Sequence, residues 1–122
     1  MTATGPDFIS LQSRDRELSA AFYEKYLGLA RVEKAPPQAV VFATTPIAFA
    51  IRDVMPGVDL DSASAPGLGV SVWMHAPDAQ NIHDALAEDG IPIAVAPFDG
   101  PFGRTFAFVD PDGYQITLHD RA

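Results

Sequence analysis

Few side chains in this 122-residue chain can carry chemistry, and their scarcity is the first constraint on function. There are three histidines, His75, His83 and His119, and no cysteine. Without a thiol there is no cysteine nucleophile, no disulfide and no zinc–sulfur site. His75 ends the alternating segment Gly69-Val-Ser-Val-Trp-Met-His75, on one face with Ser71 and Trp73. His119 ends Tyr114-Gln-Ile-Thr-Leu-His119 and shares a face with Thr117. Imidazole serves as acid, base or metal ligand near neutral pH, so His75 and His119 are the candidate catalytic residues. His83 falls within a helical pattern and reads as a helix-surface residue. No Gly-x-Ser-x-Gly elbow, Lys-bearing phosphate loop or His-Glu-x-x-His helix is present. Glu17, Glu24 and Glu88 read as solvated helix residues. Asp110-Pro-Asp112-Gly offers too few oxygens for a calcium loop, and no closing Glu follows.

Composition narrows the partners. Apolar residues make up 48% and charged residues 20%, ordinary for one soluble domain with a real core. The net charge of −8 argues against nucleic acid and against an anionic membrane, because phosphate recognition needs clustered Lys and Arg. No apolar run reaches membrane-spanning length, and the first residues lack a signal-peptide pattern. Cytoplasmic residence is the expectation.

The elements that must position these side chains recur in the same order. Phe8–Ser13 alternates as a strand, with Ile9 and Leu11 on one face and Phe8, Ser10 and Gln12 on the other. Asp15 caps a helix over 17–27, in which Leu18, Ala21, Phe22 and Tyr26 fall near helical spacing, and Gly28 ends it. Strands are predicted at 29–34, 39–43 and 47–51. Residues 53–67, rich in Asp, Ser, Pro and Gly, form a linker. The order then repeats: a strand over 69–75, a helix capped by Asp78 and ended by Gly90, and strands near 91–95, 104–109 and 114–119. Asp110-Pro-Asp-Gly113 makes the last turn, since Pro111 presets φ and Gly113 tolerates a positive φ. Residues 97–103 read as a loop, with Phe98 and Phe102 left unburied by alternation. The fold class is therefore α+β, with module one over about 7–52 and module two over about 68–120 of a single domain.

Two segments carry a family resemblance. Phe8-Ile-Ser-Leu-Gln-Ser-Arg-Asp15, followed by Ser19-Ala-Ala-Phe-Tyr23 and Leu27-Gly28, is the first. Asp110-Pro-Asp-Gly-Tyr-Gln-Ile-Thr-Leu-His119 is the second. With the doubled strand–helix–three-strand order, the chain resembles the glyoxalase/bleomycin-resistance/dioxygenase (vicinal oxygen chelate) superfamily. The resemblance implies paired βαβββ modules with curved mixed sheets around a shared cavity, and a homodimer. It also implies a divalent metal held by His, Glu or Gln on the first and last strands. Carried over position by position, those ligands map to Phe8, to Ser71 (or Gly69), to Thr117, and to a place between Ile47 and Arg52. None of these is an imidazole or a carboxylate.

The expectation that follows is metal-independent binding of a small, partly apolar or aromatic molecule, with no cofactor, as the bleomycin-resistance branch does. The ligand-binding candidates are Phe8, Ser10, Gln12, Ser71, Trp73, Arg104, Thr105 and Thr117. Trp73 is a stacking platform and Arg104 an anion contact at the cavity mouth. Ala107 and Gln115 share the wall by alternation, whereas Phe106 and Phe108 pack under the helices. First and last strands of a module are neighbours in this fold, so His75 and His119 can meet at one rim. Such a pair leaves open a metal-dependent lyase, isomerase or dioxygenase with unusual ligands. A structural dimer module without a ligand is the third possibility.

Overall fold

The computed structural model describes residues 1–121, and the chain divides into two compact units, the first Met1–Ser62 and the second beginning at Ala63. The fold is mixed α+β, and among the described residues there are two α-helices and two small sheets.

In the first unit, β1 (Phe8–Ser13) leads into α1 (Arg16–Leu27). The Asp15 carboxylate accepts from the Leu18 backbone N–H at 3.1 Å and caps the helix. Gly28 adopts φ 67° at the other end, a left-handed conformation that a Cβ disfavours, and its N–H donates to the Glu24 carbonyl. β2 (Ala39–Phe42) and β3 (Ala48–Asp53) complete a sheet in the order β1-β3-β2, parallel between β1 and β3 and antiparallel between β2 and β3. Ile9, Leu11, Phe49, Ile51, Val40 and Phe42 share the helix-facing side, and Phe8, Ser10 and Gln12 share the other.

Two expectations fail here for physical reasons. The predicted strand at 29–34 contracts to one bridge, Arg31 to Phe42, although Val32 N–H still donates to the Val41 carbonyl. Its partner strand β2 is only four residues long, and the Arg31 side chain makes ion pairs with α1, to Glu17 at 2.8 Å and Glu24 at 2.9 Å. The buried side of α1 is also rotated from the predicted one. Ser19, Ala20, Phe22 and Tyr23 are buried, while Leu18 and Ala21 are exposed. Small residues at 19 and 20 let the helix approach the sheet, so Tyr23 can set its ring edge-on against Phe49, with centroids 5.2 Å apart. The segment predicted as a linker holds a short 3-10 turn, Leu60–Ser62, which buries Leu60, and Arg14 pairs with Asp61 at 2.5 Å.

In the second unit, β4 (Val72–His75) precedes α2 (Ala79–Glu88), and β5 (Ile93–Gly100), β6 (Gly103–Val109) and β7 (Gln115–His119) follow. The sheet order is β4-β7-β6-β5, with β4 and β7 parallel and the other pairs antiparallel. Ile116, Leu118, Phe106 and Phe108 are buried on the side of α2, where Phe106 meets the edge of His83 at 5.2 Å. The Asp110 carboxylate accepts from Asp112 N–H at 2.9 Å and from Tyr114 N–H at 3.0 Å, so the β6–β7 turn is held by its first residue. Asp78 does not cap α2 by its side chain. The first strand begins at Val72 rather than Gly69, because Gly67 and Gly69 both take positive φ in a preceding turn. The segment read as a loop over 97–103 is instead the end of β5 plus a tight turn into β6.

Candidate functional site

The β4-β7-β6-β5 sheet has one side against α2, and its other side collects the chemistry. Register defines two rows across that side. Trp73, Thr117, Ala107 and Val95 form one, and His75, His119, Thr105 and Phe98 form the next. Parallel pairing of β4 with β7 sets His75 beside His119, with ring centroids 5.6 Å apart. Trp73 lies 5.9 Å from His119. Phe102, at the tip of the β5–β6 turn, packs edge-on against Trp73 at 5.7 Å and against His119 at 5.9 Å. His119 thus sits among three rings. Trp73 and Phe102 are about half exposed, at 49% and 53%. Large apolar rings left in solvent side by side are the unusual observation in a folded chain.

Gly103 makes this turn possible. It holds φ 83°, and a Cβ there would run into the Asp120 carboxylate and crowd Arg121. The same carboxylate accepts from Arg104 N–H at 2.8 Å, which fastens the segment after β7 to the start of β6. From that segment the Asp120 and Arg121 carbonyls reach the two imidazoles, at 3.3 Å from His75 Nε2 and 2.9 Å from His119 Nδ1.

The remaining candidates separate into groups. Phe8 and Ser10 are exposed on the side of the first sheet away from α1. Gln12 shares that side, and its Oε1 accepts from Met55 N–H at 2.8 Å, tying down the segment after β3. Ser71 is exposed and precedes β4. Thr117 lies beside Trp73 in the first row. Thr105 is in the imidazole row but buried, and its hydroxyl donates to the Gly103 carbonyl at 3.0 Å. Its donor is therefore already used within the turn. Arg104 departs from its expected place at a cavity mouth. It alternates with Thr105 onto the α2 side, where its guanidinium donates to Gln80 at 2.8 Å and to Asp99 at 3.2 Å. Strand parity carried that information, since Arg104 is in step with Phe106 and Phe108. Phe102 is the residue missed as a site partner. It follows the last pairing of the hairpin, where alternation stops being informative.

The shifted carboxyls are on the two helices. Glu17 is held below its usual range chiefly by a hydrogen bond from Arg31. Asp84 is lowered by hydrogen bonds from His83 and then Gln80. Both belong to helix-surface pairs.

A divalent metal does not fit the positions where the resemblance would put it. Phe8 has no lone pair, and the hydroxyls of Ser71 and Thr117 are poor transition-metal donors. Among the described residues, no group of three or more His, Asp or Glu side chains converges to hold an ion. Among the described residues, no helix is long and apolar enough to cross a membrane.

Comparison with solved structures places the whole chain. An antibiotic binding protein from Streptomyces sp. CB03234 superposes with a TM-score of 0.74 at 22% identity, over 100% of this chain and 99% of that one. A bleomycin resistance determinant encoded on the transposon Tn5 gives 0.65 at 24% identity, over 97% and 98%. Lactoylglutathione lyase from Agrobacterium tumefaciens gives 0.66 at 18% identity, over 98% and 96%. At these identities the likeness establishes the fold, which a binding protein and a lyase share. No curated protein matches the chain. The family model described as Glyoxalase/Bleomycin resistance protein/Dioxygenase superfamily matches residues 5–118, and the chain belongs to that superfamily.

Proposed function

We propose that this protein binds a small, partly apolar or aromatic organic molecule, without metal, on the second-unit face that carries Trp73. The observation that carries this reading is the exposed cluster of Trp73, Phe102 and His119. Burying two half-exposed rings against a flat ligand releases water from both partners and adds the preference of aromatic pairs for one another. The absence of donor side chains at Phe8, Ser71 and Thr117 supports metal independence. The likeness to an antibiotic binding protein and to a bleomycin resistance determinant is in keeping with recognition without turnover. A homodimer is part of the proposal and is checked by light scattering of the purified chain.

The test is titration of the protein, stripped with a chelator, with bleomycin and with 1-naphthol, following the fluorescence of Trp73, the sole tryptophan. Saturable quenching by either probe, unchanged by EDTA, with the calorimetric binding of the same probe lost in Trp73→Ala, is the expected result. Binding that appears only after adding Mn2+, Ni2+ or Zn2+ overturns metal independence. It would favour the enzymatic reading, which rests on the closeness of His75 and His119.

A further inference from the structure

The aromatic face has a polar centre, and the hydrogen bonds behind it fix what that centre can offer. A backbone carbonyl only accepts. The Arg121 carbonyl lies 2.9 Å from His119 Nδ1, so in the neutral ring the proton sits on Nδ1 and Nε2 keeps its lone pair. The Asp120 carbonyl lies 3.3 Å from His75 Nε2, so that ring carries its proton on Nε2 and its lone pair on Nδ1. Two adjacent residues thus set opposite tautomers in two adjacent rings. The shared result is one acceptor nitrogen on each of two rings whose centroids are 5.6 Å apart, with His119 flanked by Trp73 and Phe102.

We propose that the ligand of this face is an aromatic molecule that donates a hydrogen bond, from a hydroxyl or N–H on its ring edge, to the lone pair of His119 Nε2, with His75 Nδ1 as the second acceptor. This rests on the reading of the face as an aromatic-binding site and adds the polarity of its ligand. A carboxylate placed there meets lone pair against lone pair. A transition cation finds two imidazoles and, among the described residues, no third ligating side chain to complete a site. A phenol or aromatic amine satisfies both features, stacking its ring on one of Trp73 and Phe102, meeting the other edge-on, and turning its donor toward His119.

Three probes of one shape test this at pH 8, above the ordinary imidazole titration range. They are 2-naphthol, 2-methoxynaphthalene and 2-naphthoate, titrated calorimetrically into the full chain. 2-Naphthol is expected to bind about three- to tenfold tighter than its methyl ether, the size of one net hydrogen bond, with the carboxylate weakest. His119→Phe keeps a ring in place and is expected to erase the gap. Equal binding of naphthol and ether to the parent protein overturns the donor preference and leaves the aromatic site standing. Failure of all three to bind overturns the site itself, and this inference with it. Long-range 1H–15N correlation is expected to show Nδ1–H at His119 and Nε2–H at His75, and the reverse tautomers overturn the proposal. So does stoichiometric Zn2+ or Ni2+ uptake that His75→Phe abolishes.

Discussion

The two halves of this chain follow one plan and both pack aromatic rings against their helices, but the second also gathers several rings on the other side of its sheet. In the first half, Tyr23, Phe22, Phe42 and Phe49 are all buried, and the rings lock α1 to the sheet. The side away from that helix carries Ser10, Gln12 and Ala50 around one exposed ring, Phe8. In the second half, Phe106 and Phe108 fill the helix side, but Trp73, Phe98 and Phe102 are left out in solvent with two imidazoles. The halves also differ at the outer strand, which is eight residues long in β5 and a single bridge at Arg31 in its counterpart. The same topology thus builds a ring-filled core in one half and a ring-bearing face in the other. On the proposed reading, core rings answer to stability and face rings to binding.

The sharpest break of that contrast is a pair of truncations. Phe42→Ala removes a fully buried ring and should cost about 3–5 kcal/mol in urea denaturation. Trp73→Ala should stay within about 1 kcal/mol of the parent and abolish the binding of aromatic probes. If Trp73→Ala proved as destabilising as Phe42→Ala, the face would be core and the division of labour would fail. The next effect compares the helix starts. Asp15→Ala loses a real cap and should cost about 1 kcal/mol, whereas Asp78→Ala, which removes no cap hydrogen bond, should be nearly silent.

The smallest effect concerns the Arg31 pairs that stand beside the contracted strand. Glu17 is depressed in the folded chain chiefly by its hydrogen bond from Arg31. Its contribution is therefore present above the ordinary Glu range and lost as the pH falls through the lowered folded value. Arg31→Gln should move the Glu17 titration back up toward the ordinary range in an NMR pH series, with only a slight loss of stability at neutral pH because both groups are solvent-screened. An unmoved Glu17 would mean that the pair does not persist in solution.

What the sequence reveals follows from how each signal arises. Alternation assigned both sides of β1, β6 and β7 because register and pleat leave a strand only two choices. The same rule, applied consistently, puts Arg104 behind the sheet, and its placement at a cavity mouth ignored it. The strand predicted at 29–34 is reduced to the Arg31–Phe42 bridge because local propensity carries no information about how far its partner, the four-residue β2, extends. The helix side was misread because the deciding residues, Ser19 and Ala20, are small and matter through how close they let backbones come, which apolar periodicity does not weigh. Of the candidate site, the pairing of β4 with β7 made His75 and His119 neighbours in expectation. Phe102 joined them through a turn whose direction depends on Gly103, beyond the reach of any period.

The uneven pairing along β5 has a consequence of its own. This outermost strand shifts register twice, between Ile93 and Val95 and between Val95 and Phe98, and it contains Pro97. A straight border would invite a stray chain to add itself by backbone pairing, and bare rings alongside would hold the intruder in place. A crooked border interrupted by proline denies that foothold. The face proposed for small guests can therefore stay sticky while offering polypeptides nothing regular to zip onto.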